Sequence, residues 1–179
     1  MLVLETGEGL SNSNAYASVA EGTEYAAGHL YASVWTDADN AHREAALRMA
    51  TRAVDAAVAW KGARKTSTQA LGWPRIYALS YVNYAAYPPQ YIYYDDASVP
   101  KGVKDAVCEL AIGLLTADRT GDAPGKGIKS FGIGQGAIDV TFDPQDAREL
   151  LNEVTNLLLR PFGEIISGKG VRFIRVLRA

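Results

Sequence analysis

Thr36-Asp37-Ala38-Asp39-Asn40-Ala41-His42-Arg43-Glu44-Ala45-Ala46-Leu47-Arg48-Met49-Ala50-Thr51-Arg52-Ala53-Val54-Asp55-Ala56-Ala57-Val58-Ala59-Trp60 is the stretch whose periodicity decides the fold class. Leu47, Ala50, Val54, Ala57 and Val58 recur at helical spacing on one stripe. Arg43, Glu44, Arg48, Arg52 and Asp55 fall mainly off that stripe. Thr36 or Asp37 supplies an N-cap, so the spacing predicts a helix from there to about Trp60. A second pattern begins near Pro100 and runs to about Ala117, with Val103, Val107, Leu110, Ala111 and Leu114 on its apolar face. A third follows Asp143 as N-cap and Pro144 at the first helical position. Its inward set is Ala147, Leu150, Leu151, Val154, Leu157 and Leu158, and Pro161 ends it. Ser18 can cap a shorter helix from about Val19 to Leu30, which Gly22 and Gly28 weaken.

Four such helices can bury one another's apolar faces. The expected fold is therefore mainly α: a small bundle of about four helices with accessory β-hairpins and an extended C-terminal arm. Residues 1–5 read as a short strand, followed by a turn-rich loop at 7–14. Residues 62–97 read as a long irregular section and 121–127 as a loop. Residues 128–142 form a predicted hairpin with Ala137, Ile138, Val140 and Phe142 on its second arm. The expected organisation is one domain over 1–163, interrupted by a tyrosine-rich insertion at 76–94, and an arm at 164–179.

The chain has 179 residues, 48% hydrophobic and 21% charged, with a formal net charge of −2. That length suits a single domain with a real core. One cysteine, Cys108, excludes an intrachain disulfide framework and a cysteine zinc ribbon, and it reads as a buried small hydrophobe. Two histidines, His29 and His42, make a histidine metal site a poor expectation. The charge balance speaks against a protein devoted to gripping phosphates. No apolar run is long enough to span a bilayer, and the N-terminus lacks the features of a signal peptide. The expectation is a soluble chain of intracellular origin with no membrane partner.

Catalytic patterns are sparse. Phe131-Gly132-Ile133-Gly134-Gln135-Gly136 alternates glycines, but without the dinucleotide-binding spacing and inside a predicted hairpin, so it reads as a turn. There is no P-loop lysine, no H-E-x-x-H and no G-x-S-x-G. His42 reads as a solvated helix residue, and His29 as a residue favouring the negative pole of its helix. Asp95 and Asp96, ahead of a helix, can serve its dipole. The sequence thus predicts no enzyme activity and no cofactor.

The most unusual segment is Ile76 to Tyr94. It holds seven of the ten tyrosines, namely Tyr77, Tyr81, Tyr84, Tyr87, Tyr91, Tyr93 and Tyr94, and no charged residue. Tyrosine offers large contact area with a polar tip and is enriched at interfaces. Such a loop can cover its own bundle, stack on unpaired bases or meet another protein chain. Stacking grooves normally interleave basic residues, which this segment lacks, so the protein interface is preferred. The C-terminal Gly168 to Ala179 alternates basic and apolar residues. It reads either as a strand pairing with the hairpin at 128–142 or as an arm docking on a partner through Arg172, Phe173, Ile174, Arg175 and Leu177. Phosphate contact is the weaker alternative for that arm.

One further set of residues is specific enough to carry a family resemblance. Trp60-Lys61-Gly62, Arg64 and Ser67-Thr68-Gln69-Ala70-Leu71-Gly72-Trp73-Pro74-Arg75 resemble the signature of tailed-bacteriophage head–tail connector (adaptor) proteins. Part of that group is labelled DnaT-like single-stranded-DNA-binding protein. Gly7-x-Gly9 with Ser13-Asn14-Ala15-Tyr16-Ala17-Ser18 and Leu158-Leu159-Arg160-Pro161-Phe162 are similar as well. The motif residues are thus Trp60, Gly62, Gln69, Leu71, Trp73, Pro74 and Arg75. Gln69 and Arg75 can hydrogen-bond loop carbonyls, while Pro74 holds Trp73 extended. The element therefore reads as a loop anchor or as a binding site.

The resemblance implies a structural virion protein at the head–tail interface, made in the host cytoplasm and assembled as a ring of typically twelve copies. Such a ring meets the portal protein and the next tail or connector component. Packaged double-stranded DNA passes through its lumen without sequence-specific binding. The alternative is a single-stranded-DNA-binding replication accessory protein.

Overall fold

The computed structural model describes residues 1–117, 130–133, 138–141 and 151–166, with backbone alone for 130–133 and 138–141. Near the N-terminus Leu4 forms a parallel bridge with Ala15 in place of a strand. Helix α1 spans Val19–Ala27. Its start is a full capping box, in which the Ser18 hydroxyl accepts from the Glu21 amide and the Glu21 carboxylate accepts from the Ser18 amide. It stops at Gly28, short of the predicted Leu30, which is exposed.

Helix α2 is a single turn, Ser33–Asp37, carrying the fully buried Trp35. A Cβ on Gly22 would lie 2.6 Å from the Trp35 ring, so the glycine that lowers the propensity of α1 is what lets α2 approach it. Helix α3 spans Asn40–Ala57. Thr36 and Asp37, the expected caps, are instead the last residues of α2. The cap of α3 is Asp39, whose carboxylate accepts from the His42 amide at 2.8 Å. Arg43 closes the joint by donating to the carbonyls of Trp35 and Thr36.

The chain then turns extended. Strand β1 is Val58–Trp60, β2 is Ala63–Arg64, β3 is Arg75–Ile76, β4 is Leu79–Asn83 and β5 is Gln90–Tyr93. Helix α4 follows at Lys101–Thr116, close to its expected bounds, with Val103, Val107, Leu110 and Ala111 fully buried. Strands β6 (Ser130–Ile133) and β7 (Ile138–Thr141) form the predicted antiparallel hairpin. Helix α5 is Glu153–Leu159 and β8 is Gly163–Ile165.

The core lies between α3 and α4, where Leu47, Ala50 and Val54 meet the apolar face of α4; α1, α2 and α5 also pack on α4. Alanines at 46, 50, 53, 57, 106 and 111 line these buried faces and allow the helices close approach. Each fully buried Leu or Val contributes roughly 1.5–3 kcal/mol.

The described residues hold five helices and eight strands, the strands in four two-stranded antiparallel sheets. The chain is therefore mixed α/β, which corrects the expectation of a mainly α bundle of about four helices with accessory hairpins. The physical reason is visible at Val58. It stands four residues after Val54, so helical periodicity carries straight through it, and it is buried. Pairing of β1 with β8, in which Val58 faces Ile165 and Trp60 faces Gly163, draws those residues out of the helix instead. The strands of residues 58–93 have two to five residues each, too short for alternation to stand out.

The third helix also differs from expectation. Asn152, with extended backbone, caps α5 by accepting from the Thr155 amide at 2.7 Å. Leu151 and Leu159 are buried, but Val154 and Leu157, expected inside, are 48% and 54% exposed. The expected start at Asp143 and Pro144 lies outside the described residues, as do Arg172, Phe173, Ile174, Arg175 and Leu177 of the arm.

Candidate functional site

The residues from Trp60 to Arg75 form a knot of polar contacts around their own loop. The Gln69 side chain is buried; its carbonyl accepts from the Thr66 amide, and its NH2 donates to the carbonyls of Leu71, Gly72 and Pro74 at 2.8–3.2 Å. Arg75 donates to the carbonyls of Lys61, Gly62, Trp60 and Gly72. Arg64 donates to the carbonyl of Gln69 at 3.0 Å. Leu71, Trp73 and Pro74 are buried, and the Trp73 ring meets Trp60, Tyr94 and Phe162 edge to face. Gln69 and Arg75 are thus engaged with the loop itself, while the Trp73 ring joins it to the core.

Asp55 of α3 ties this knot to the helices. Its carboxylate accepts from Tyr16 Oη at 2.6 Å, from the Trp60 indole at 3.2 Å and from the Gly72 amide at 2.8 Å. Tyr16 Oη in turn accepts from the Trp73 amide. Withdrawal from water raises the Asp55 carboxyl above the ordinary carboxylate range, with the three donors and Arg64 pulling the other way. Burial, followed by the Asp55 charge, lifts the Tyr16 hydroxyl well above its usual value. Sequence reading placed Asp55 off the apolar stripe and missed this role.

From that anchor projects the tyrosine-rich segment, which is a hairpin rather than an irregular loop. Strands β4 and β5 pair antiparallel, with Leu79 opposite Tyr93, Tyr81 opposite Ile92, Val82 opposite Tyr91 and Asn83 opposite Gln90. Tyr81 and Tyr91 therefore lie on opposite faces of the hairpin, and both are exposed. Tyr77, Tyr84, Tyr87 and Tyr93 are exposed as well, Tyr87 completely. Tyr94 alone of the seven packs on the core, 4.9 Å from Phe162.

Folding supplies what the hairpin's own sequence lacks. Arg64 pairs in register with Arg75, four residues before β4, and Lys61 and Lys65 lie on either side of β2. Lys61 Nζ donates to the Pro161 carbonyl, and Lys65 Nζ donates to the carbonyls of Gly7 and Asp96. Carbonyl partners orient these cations without neutralising them, and among the described residues none of the four is in an ion pair. Burial and the neighbouring Arg64 charge lower the Arg75 pKa from its ordinary value. The root of the hairpin thus gathers four cations, with the Asp55 carboxylate near Arg64 and Arg75 and the Asp95 carboxylate near Lys65. In the sequence these cations stand just ahead of Tyr77, and the tyrosine segment, read as a unit that begins after Arg75, leaves them outside it.

Two other polar clusters are structural. The buried Glu5 carboxylate accepts from the amides of Gly7, Gly9 and Leu10 and from the Ser13 hydroxyl, fixing the N-terminal loop. Glu109 of α4 accepts from Tyr25 Oη and from Asn152 Nδ2, with His29 Nε2 3.5 Å away, joining α1 to the start of α5. A cleft of about 240 Å³ between α1 and α4 is lined by Glu21, Glu24, Tyr25, Lys101, Lys104, Asp105 and Cys108. Its lysines are held in ion pairs, Lys104 with Glu21 and Lys101 with Asp105. Burial pushes the Cys108 thiol up to about 12, which keeps it protonated and unreactive at neutral pH. No helix among the described residues is long and apolar enough to cross a membrane. No group of potential metal ligands occurs among them either.

The family model described as "Putative DnaT-like ssDNA binding protein" matches residues 1–179, and the chain belongs to that family. The match gives no support to the head–tail connector part of the resemblance. No curated protein and no solved structure matches the chain.

Proposed function

We propose that the protein binds single-stranded nucleic acid, with the β4–β5 hairpin as a stacking platform and its basic root as the phosphate contact. The observation that carries this reading is the juxtaposition of six exposed tyrosines with Lys61, Arg64 and Lys65 at the root of the hairpin. Aromatic rings stack on any unpaired base, and cations beside them track the backbone. The family's printed description agrees with this chemistry. The test is fluorescence anisotropy of a labelled oligothymidylate of roughly 16 nucleotides, the upper end of single-strand site sizes, over a salt series. With about three phosphates neutralised, log K falls against log salt with a slope of about −2. Absence of binding at low salt, or binding indifferent to salt, overturns the reading.

One observation favours a second reading. Residues 76–94 carry no charge, and the hairpin's tyrosines are open on both faces, as suits contact with another protein. In that reading the chain is a portal-bound connector subunit of a ring at the head–tail interface of a virion. Quantitative mass spectrometry of purified particles separates the two. A copy number near that of the portal supports the connector, and absence from particles removes it.

A further inference from the structure

Tyr77 has φ +58°, and among the described residues it is the one non-glycine residue in the left-handed region. A side chain with a Cβ is disfavoured there, whereas glycine and asparagine enter it more readily. The surroundings over-determine the conformation. Ile76 is paired with Ala63 on one side, and on the other the buried Ala78 accepts from the Tyr94 amide at 2.9 Å. Gly62, itself at φ +71°, backs onto the same point. A Cβ there would lie 2.3 Å from the Ile76 carbonyl oxygen and 2.6 Å from the Ala78 nitrogen. Arg75 holds that glycine in place through its carbonyl.

The fold gains little from the side chain so held. Tyr77 is 72% exposed, and its aromatic contact is Tyr93, edge to face at 6.2 Å and 79°. Strain maintained by a rigid frame and spent on an exposed ring marks a binding residue. An edge-to-face pair of exposed rings makes a corner with one ring to stack on and a second as a side wall.

Resting on the reading above, we propose that Tyr77 and Tyr93 form a discrete notch for one unpaired nucleobase, and that the left-handed backbone at Tyr77 sets its angle. Lys61 and Arg64, both exposed and beside the Gly62 turn, supply the charge for the flanking phosphates. Gly62 and Arg75 are positioning residues, acting through the backbone of residues 76–78.

The test pairs thermal melting with oligothymidylate anisotropy on the full chain. Tyr77→Asn, with Tyr77→Gly as a second variant, relieves the backbone while deleting the ring. Melting at or above the wild-type temperature together with affinity weaker by about tenfold is the expected result. Tyr77→Phe keeps wild-type affinity, and Tyr31→Ala, an exposed tyrosine outside the hairpin, leaves binding unchanged. Wild-type affinity in Tyr77→Asn and Tyr77→Gly, while Tyr81→Ala or Tyr91→Ala weakens binding, overturns the notch and leaves the single-strand reading standing. A parallel fall of melting temperature and affinity overturns it too, by making Tyr77 a structural residue. A wild-type chain that binds no oligothymidylate removes the reading beneath and the notch with it.

Discussion

At the scale of single residues, Asp55 shows how a polar group can organise a loop from inside a helix. Three donors from Tyr16, Trp60 and Gly72 converge on one carboxylate. Replacing it by Asn turns an NH2 group toward at least one of them, and leaving a buried donor unmet costs about 1–3 kcal/mol. The same residue sets a pH dependence. Its carboxyl is raised in the folded state, so between the ordinary carboxylate range and that raised value the folded chain holds more protons than the unfolded one. Its contribution is full below the unfolded pKa and is lost as pH rises through the folded one. Melting temperatures of wild type and Asp55→Asn measured across this range should converge as pH rises, because only the wild type loses this proton-linked term. A constant gap contradicts the assignment. Gln69 and Arg75 were legible beforehand as donors to loop carbonyls, since a long excursion needs such partners. Asp55 was not, because a charged residue off the apolar stripe reads as solvated.

At the scale of elements, the β4–β5 hairpin is separable from the core. Its strands pair with each other, while Ala78 and Tyr94 at its base are what the core retains. Replacing residues 80–92 by a short Gly-Ser link should leave the melting temperature within a few degrees, since no fully buried side chain is removed. Oligothymidylate binding should weaken without vanishing, because Tyr81, Tyr84, Tyr87 and Tyr91 are lost while Tyr77, Tyr93, Lys61 and Arg64 remain. Unfolding of the variant would show that the hairpin supports the core, and unchanged affinity would show that its outer tyrosines make no contact. Helices α1, α3 and α4 follow from local rules: a capping box, an Asx cap and a clean apolar stripe. Helix α5 does not. Its two exposed apolar residues follow the same spacing as buried ones, and packing on α4, with the cap at Asn152 tied to Glu109, decides which face turns inward.

At the scale of the whole molecule, a net charge of −2 coexists with exposed Lys61 and Arg64 at the hairpin root, so overall charge does not describe that surface. Stacking on tyrosine requires bases free of a partner. Single strands should therefore bind at least about tenfold more tightly than a duplex of the same length and salt, by the stacking of one or two bases. Competition of labelled oligothymidylate with unlabelled duplex measures this ratio, and equal competition would reduce the interaction to phosphate attraction.

What the sequence determined by itself is local: the presence of helices within 19–30, 36–60 and 100–117, with ends that the structure moves by a few residues, and a tyrosine segment without charge. Helical period, caps and composition act within a few residues and survive without the rest of the chain. Tertiary structure decided the remainder. The β1–β8 pair joins residues about a hundred positions apart and converts the end of a helical pattern into a strand. The knot on Asp55 gathers Tyr16, Trp60 and Gly72, and the pairing of Arg64 with Arg75 sets cations beside the tyrosines. The β1–β8 pair and the Tyr16–Asp55 bond join residues far apart in sequence, while the contacts of Asp55 with Trp60 and of Arg64 with Arg75 span shorter distances and depend on the path of the loop between them.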